Sequence, residues 1–335
     1  MSGTYDPSFN QGASLNPALR RQPPPQVPPA EQPAPEPPEL LEDFHLPEAD
    51  ADAPTQAIPP VDSRARKPFG LALAAGFFSI IPMPALTEIG TDETRRALRW
   101  FPSLGALFGL IAGLVGAGAL WLTGSHVFGA VLVVLIWQVL TGAMHLDGLA
   151  DCFDGLAALG SRKDGRDAAR AMEIMHTPDT GAMGVATIVL VLLTQVGALS
   201  AASSPEELLA LAILAPLAGR TAILVASRPG VPPARKGGFG ALFHEITPVH
   251  QIVLQVLLVA VIAAALGWWT SGWAGAAALI VSLVIALGAS MIWVRRLVGT
   301  FGGLSGDMFG AIIEVTTAVM SVAGALALSG AVLIR

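Results

Sequence analysis

Seven apolar stretches of about twenty residues recur along this chain, at 103–123, 127–144, 183–202, 208–227, 251–270, 273–294 and 310–334. Each is long enough to cross about 30 Å of hydrocarbon as a helix. A soluble core has no use for such runs, and the composition agrees, with 53% hydrophobic and only 13% charged residues. Glycine is frequent inside the runs, as in membrane helices whose backbones approach closely. An eighth run, 69–83, is shorter and ends at Pro82 and Pro84, so it is expected to be a re-entrant or interfacial half-helix. The predicted fold is all-α: a polytopic membrane bundle of about seven transmembrane helices plus this short N-terminal helix.

The connections carry a second pattern. Arg95, Arg96 and Arg99, then Arg162, Lys163, Arg166 and Arg170, then Arg228, Arg235 and Lys236, then Arg295 and Arg296 occupy alternate connections. Those between them, around Gly124, Ser204 and Ser271, contain no Lys or Arg. By the positive-inside rule the basic loops face the cytoplasm and the C-terminus lies outside. An integral protein of the cytoplasmic (inner) membrane is expected. Arg64, Arg66 and Lys67 favour a cytoplasmic tail, which requires 69–83 not to cross.

Residues 1–66 read as a separate region: a disordered, Pro-rich acidic tail ahead of an integral membrane catalytic domain at 67–335. Its ten acidic and four basic residues account for the whole net charge of −6, and the remainder balances at fifteen of each. No cleavable signal peptide is expected, because no charged segment precedes an apolar one at the start. The absence of a basic stripe argues against nucleic acid as a partner. A single cysteine, Cys152, excludes an intramolecular disulfide framework and a cysteine-built zinc site.

The polar groups that need a reason sit at the ends of the runs. The densest is His145-Leu-Asp-Gly-Leu-Ala-Asp-Cys-Phe-Asp-Gly155. Asp147, Asp151 and Asp154 are spaced i, i+4, i+7, which in a helix puts them within roughly 60° of one another. Three like charges on one stripe at a membrane boundary call for a divalent cation, and all-oxygen ligands favour Mg²⁺ over zinc. The bland alternative, a solvated helix end with Asp147 as cap, explains one carboxylate and not three. His145 falls on the opposite side, either in a supporting role or as the catalytic base.

Two further clusters share the basic side. In Glu173-Ile-Met-His-Thr-Pro-Asp-Thr-Gly-Ala-Met-Gly184, Pro178 and Gly181 imply a tight turn where a phosphate could approach a helix N-terminus, and Asp179 reads as the cap of the helix that follows or as a ligand. In Gly302-Gly-Leu-Ser-Gly-Asp-Met-Phe-Gly310 the small residues Gly303, Ser305 and Gly306 make a close-approach loop suited to phosphate, and Asp307 adds a carboxylate. Glu314 lies one turn into the last run, where a carboxylate needs a partner. Arg220 stands in mid-run and is expected to face the interior and meet an anion, either substrate phosphate or a carboxylate. Cys152 reads as a small apolar residue, and His126, His244 and His250 have no companion at ligand spacing.

Taken together, His145-Leu-Asp-Gly-Leu-Ala-Asp151 with Asp154-Gly155, Gly181-Ala-Met-Gly184 and Gly302-Gly-Leu-Ser-Gly-Asp307 resemble the cobalamin synthase family, the adenosylcobinamide-GDP ribazoletransferases. The resemblance covers about residues 68–335. It departs at His176-Thr-Pro-Asp179, where the family commonly reads Lys-Asp-Ser-Arg, and at Ser305, where Thr is usual. It implies transfer of the adenosylcobinamide-phosphate moiety of adenosylcobinamide-GDP to α-ribazole, or its 5′-phosphate, with release of GMP and dependence on Mg²⁺. On that reading Asp147, Asp151 and Asp154 hold the metal, Asp307 completes the site, Arg166, Arg235 and Lys236 neutralise phosphate, and other corrinoid-pathway enzymes are candidate partners. Two rivals stand beside it. Asp151-Cys-Phe-Asp-Gly-Leu-Ala-Ala158 begins like the CDP-alcohol phosphotransferase motif, but Leu159 breaks it and the later aspartates are missing. A cation transporter would place its carboxylates near the midplane, not at one face.

Overall fold

The computed structural model of the chain describes residues 70–82, 90–159, 165–177, 179–235, 237 and 239–333. The tail at 1–66, the end of the first apolar run and Lys236 lie outside them, as does the side chain of Arg166. Among the described residues the elements are helices: α1 (Gly70–Phe78), α2 (Thr91–Thr123), α3 (His126–Thr141), α4 (Met144–Ala158), α5 (Gly165–Ile174), α6 (Ala182–Ser200), α7 (Pro205–Ala226), a 3₁₀ turn at Phe239–Phe243, α8 (Val249–Phe301) and α9 (Gly306–Leu333). Five of them, α2, α6, α7, α8 and α9, are long and apolar enough to cross a membrane, and six if the bent pair α3 and α4 counts as one span. The protein is an integral membrane helix bundle.

The first apolar run yields only the nine residues of α1. At 1.5 Å per residue that is too short to cross, in keeping with a half-helix. By contrast α2 starts twelve residues before the apolar run it contains and continues through Pro102. Its polar first turns are favoured by Asp92 and Glu93 at the positive end of the helix dipole and by the Arg96–Glu93 ion pair. The Arg99-Trp-Phe-Pro102 stretch is therefore part of the helix.

A straight 53-residue α8 would be about 80 Å long, more than twice the hydrocarbon thickness. It is not straight. Ser271 (φ −141°, ψ 22°) and Gly272 (φ 61°, ψ −150°) leave helical geometry, and a Cβ placed on Gly267 would lie 2.2 Å from the Gly275 carbonyl oxygen. Residues eight apart can touch only if the chain turns back on itself, at the connection expected from the sequence. Exposed Trp121, Trp268, Trp269 and Trp273 all flank connections free of Lys and Arg, an aromatic girdle at one bilayer interface.

The centre of the bundle is α7, whose residues from Leu214 to Ala226 are all buried. Gly105, Gly109 and Gly113 let α2 approach it: a Cβ on Gly109 would sit 2.4 Å from the Ala212 carbonyl oxygen. The turn that matters for the site comes after α3. Gly142 (φ 60°) and Ala143 (φ 56°) are both left-handed, and their N–H groups donate back to Val139 and Gln138 carbonyls at 3.1 and 2.8 Å. The chain swings by 89° between α3 and α4. Thus α4 runs across the end of the spanning helices.

Candidate active site

The i, i+4, i+7 stripe forms as the spacing predicts. On one side of α4 stand Asp147, exposed, and Asp151 and Asp154, half-buried; on the other His145, Leu149 and Cys152 are buried. Asp147 does not cap the helix, whose N-cap is Ala143 with no side-chain bond. The missing side chain at Gly148 brings in the next carboxylate. A Cβ there would lie 2.7 Å from the Asp307 carbonyl oxygen, and one on Gly310 would lie 3.1 Å from the His145 carbonyl oxygen. Hence α9 crosses α4 backbone to backbone, and Asp307, in its first turn, joins the stripe.

The electrostatics follow from this crowding. Burial pushes the Asp151 carboxyl up to about 6, helped by the negative charges of Asp147, Asp307 and Asp154 and opposed by His176. Four carboxylates so placed favour a cation among them. Among the described residues, however, no three His, Cys, Asp or Glu side chains converge closely enough to hold a metal ion alone. That is the usual condition for Mg²⁺, which takes one or two carboxylates and completes its shell with water and substrate phosphate.

Asp154 has a task the sequence did not disclose. Its two oxygens accept the backbone N–H groups of Gly181 at 2.7 Å and Gly184 at 2.8 Å, so it caps α6 from another helix. Asp179, the expected cap, does not do so: the N-cap position is Gly181, which has no side-chain bond of its own. Asp154→Ala should therefore lower the melting midpoint of the detergent-solubilised protein by about 2–4 °C, the effect of losing about 1 kcal/mol. Asp154→Asn keeps one acceptor and should recover part of it; an unchanged midpoint in the alanine variant would remove the capping role.

The loops at this end are tied together. Leu304 N–H donates to Pro232 C=O and Ala234 N–H to Leu304 C=O, both at 3.0 Å, and Ser305 Oγ caps α9 by accepting from Met308 N–H at 3.4 Å. Gly303 packs against the Pro233–Ala234 peptide and Gly240 against the backbone of Ser305 and Gly306, at separations that leave no room for a Cβ. Gly303 and Gly240 are thus needed for packing. Arg235 follows directly. Its guanidinium lies 3.4 Å from His176 Nδ1 and 3.5 Å from the Met172 carbonyl oxygen, and its charge reaches Asp307.

His176 is the residue that sequence reasoning passed over. Its Nδ1 sits 2.6 Å from the Met172 carbonyl oxygen, so that nitrogen carries the proton and Nε2 is the acceptor in the neutral ring. It acts electrostatically on both Asp151 and Asp307. The one sequence signal was the departure at this point from the usual Lys-Asp-Ser-Arg.

Arg220 is not among the carboxylates of α4. It is 4% exposed inside the bundle, 6.0 Å from the Phe108 ring centroid, with Glu314 and His145 as its charged and titratable neighbours. Glu314, equally buried, accepts from Gln195 Nε2 at 2.9 Å. Of the two anions expected for Arg220, the Glu314 carboxylate acts on it electrostatically, without an ion-pair contact, and the Arg220 Nε is buried without a hydrogen-bond partner. His126 and His244 bond to the carbonyls of Ala202 and Val231, and Cys152 is buried.

Fold and site together define a polytopic membrane protein with a carboxylate-lined reaction site at one end of its bundle. A family model described as cobalamin-5-phosphate synthase matches residues 70–325. The chain belongs to that family. It is 34% identical over 257 residues to an adenosylcobinamide-GDP ribazoletransferase of Roseiflexus sp. (strain RS-1), covering 75% of this chain and 87% of the relative. It is 35% identical over 249 residues to one from Frankia casuarinae, covering 72% and 88%. A third relative so named, from Pseudomonas syringae pv. syringae, is 34% identical over 249 residues, covering 74% and 94%. No solved structure matches the chain at a significant level.

Proposed function

We propose that the protein joins α-ribazole, or its 5′-phosphate, to adenosylcobinamide-GDP, forming adenosylcobalamin or its phosphate and releasing GMP. The observation that carries this reading is the convergence of Asp147 and Asp151 from α4 with Asp307 from α9, beside Arg235 and His176. The names of the relatives supply the substrates.

A ribose hydroxyl of the acceptor attacks the phosphorus linked to cobinamide. A new O–P bond forms, the bond to the bridging oxygen breaks, and GMP departs with that oxygen and its charge. Mg²⁺, when bound, supplies charge neutralisation on the diphosphate oxygens. Asp147 and Asp151 would be its ligands in this scheme, with Asp307 adding negative charge beside them. Asp154, with both oxygens engaged by α6, fixes the stripe and contributes through its charge. Arg235, beside His176 and acting on Asp307, neutralises phosphate from the loop ahead of the 3₁₀ turn. His176 Nε2 and an Asp oxygen are the groups open to receive the hydroxyl proton. The positive-inside rule, applied to the basic loops on this side, supports a reaction at the cytoplasmic face of the inner membrane.

The experiment is GMP release from adenosylcobinamide-GDP by the full chain in liposomes, with and without α-ribazole and with Mg²⁺ or EDTA. Release is expected only with ribazole and Mg²⁺ together. No release under those conditions would overturn the transfer reaction; equal release in EDTA would overturn the metal.

A further inference from the structure

A second cavity, of about 430 Å³, opens at the basic end of the bundle between the first turns of α2 and α8, and none of its lining residues belongs to the carboxylate site. Arg95, Arg99 and His250 line it, with Glu245 beside them. We propose that this cavity seats the phosphodiester headgroup of an anionic phospholipid of the phosphatidylglycerol type, whose acyl chains lie along the outward faces of α2 and α8. The assignment does not depend on the transfer reaction.

The cations come first. Arg95 and Arg99 stand one turn apart on α2, so both guanidiniums reach the same cavity. Arg95 is fixed by its Nε, which donates to the Ile246 carbonyl at 3.2 Å, and has exposed Asp92 at 3.7 Å. Among the described residues Arg99 enters no ion pair. The bond that reaches it from α8, Gln255 Nε2 at 2.9 Å, takes its backbone carbonyl and leaves the guanidinium open. The N-terminus of α8 adds to the field, since its N-cap, Pro248, offers no side-chain oxygen. Paired guanidinium forks suit phosphate oxygens.

Charge sets the kind of phosphate. Glu245 also lines the cavity, with Oε1 already accepting the Gly230 N–H at 2.7 Å. With His250 neutral, the lining side chains therefore carry a net charge of +1. One phosphodiester balances that charge, whereas a phosphate monoester or a diphosphate overfills it.

The surroundings separate a lipid from a soluble anion. On α8, Leu254, Leu257 and Val261 follow His250 at i+4, i+7 and i+11, so they share its face of the helix, and all three are exposed. On α2, Leu110 and Leu114 follow Arg99 at i+11 and i+15, again exposed on its side. The cavity thus stands at the head of two apolar tracks that run into the bilayer. A soluble phosphate uses only the head of such a site; a phospholipid uses both parts.

The test follows the melting midpoint of the full chain in detergent as lipid is added. Dioctanoyl-phosphatidylglycerol should raise the midpoint saturably, by about 5 °C or more at about a hundredfold excess over its half-effect concentration. Dioctanoyl-phosphatidylcholine, which has no net charge, and glycerophosphoglycerol, the same headgroup without chains, should each shift it by less than about 1 °C at equal concentration. Arg99→Gln should raise the half-effect concentration about tenfold or more, as expected for a lost charged hydrogen bond, and Arg99→Lys should recover part of it. Because Arg99 is exposed and unpaired, the lipid-free midpoint of Arg99→Gln should stay within about 2 °C of wild type. Arg296→Gln removes an exposed cation of the same end outside the cavity and should leave the half-effect concentration within about twofold. Equal shifts from the two lipids, a full shift from glycerophosphoglycerol, or an unchanged response in Arg99→Gln would overturn the site. So would an Arg296→Gln variant as impaired as Arg99→Gln, which would show attraction to the basic end as a whole.

Discussion

Asp151→Asn is expected to lower GMP release by about 10³-fold or more, because it removes the central charge of the cluster while keeping its shape. Asp151 is the member that feels Asp147, Asp307, Asp154 and His176 together. The same variant should fold at least as well as the wild type. A carboxyl whose pKa rises on folding binds its proton more tightly in the native state, so ionising it costs native stability. That cost is absent below the ordinary carboxylate range and is complete once the pH has risen past about 6. In EDTA at pH 7.5, therefore, Asp151→Asn should melt no lower than the wild type, and the two should converge at about pH 3 or below. Lost activity with retained stability separates a chemical role from a structural one. Activity close to wild type would remove Asp151 from the site, and a lower midpoint would mean that the carboxylate supports the fold.

What the sequence discloses about this protein is what depends on neighbours along the chain. The apolar runs are legible because a bilayer sets a length, and the break at Ser271–Gly272 because a 53-residue helix cannot fit one. The stripe Asp147, Asp151, Asp154 is legible because a helix repeats every 3.6 residues. The role of Asp154 is not, since the N–H groups it accepts lie 27 and 30 residues away on residues with little side chain to signal it. The meeting of Asp307 with Asp151 is implied by the family resemblance but not by spacing along the chain. That depends on two glycines, Gly148 and Gly310, facing each other across a helix crossing, and a glycine in a membrane helix has many other reasons to be there. His176 was hidden for a related reason: its place beside Asp151 and Asp307 comes from the way α5 ends against the Arg235 loop.

The second large effect lies deeper, where a charge in mid-run announces a need but not its answer. Arg220 on α7 and Glu314 on α9 are each 4% exposed, and Gln195, fully buried, holds the Glu314 carboxylate. Each charge acts on the other without direct contact, and Arg220, whose Nε has no hydrogen-bond partner, would otherwise stand alone in a low-dielectric interior. Removing one member of such a pair costs about 3–5 kcal/mol, whereas replacing both with apolar groups of similar volume is often neutral. Against a total stability of about 5–15 kcal/mol, Arg220→Met or Glu314→Met alone should sharply reduce the yield of monodisperse protein in detergent. The double variant should recover it. The coupling between the two substitutions, not either loss alone, is the quantity that reports the pair. Single variants that behave like the wild type would show that the guanidinium is not answered by Glu314. A double variant no better than its parents would show that each residue has a separate partner. Recovery of the fold with full GMP release would make the pair a purely structural device beneath the site.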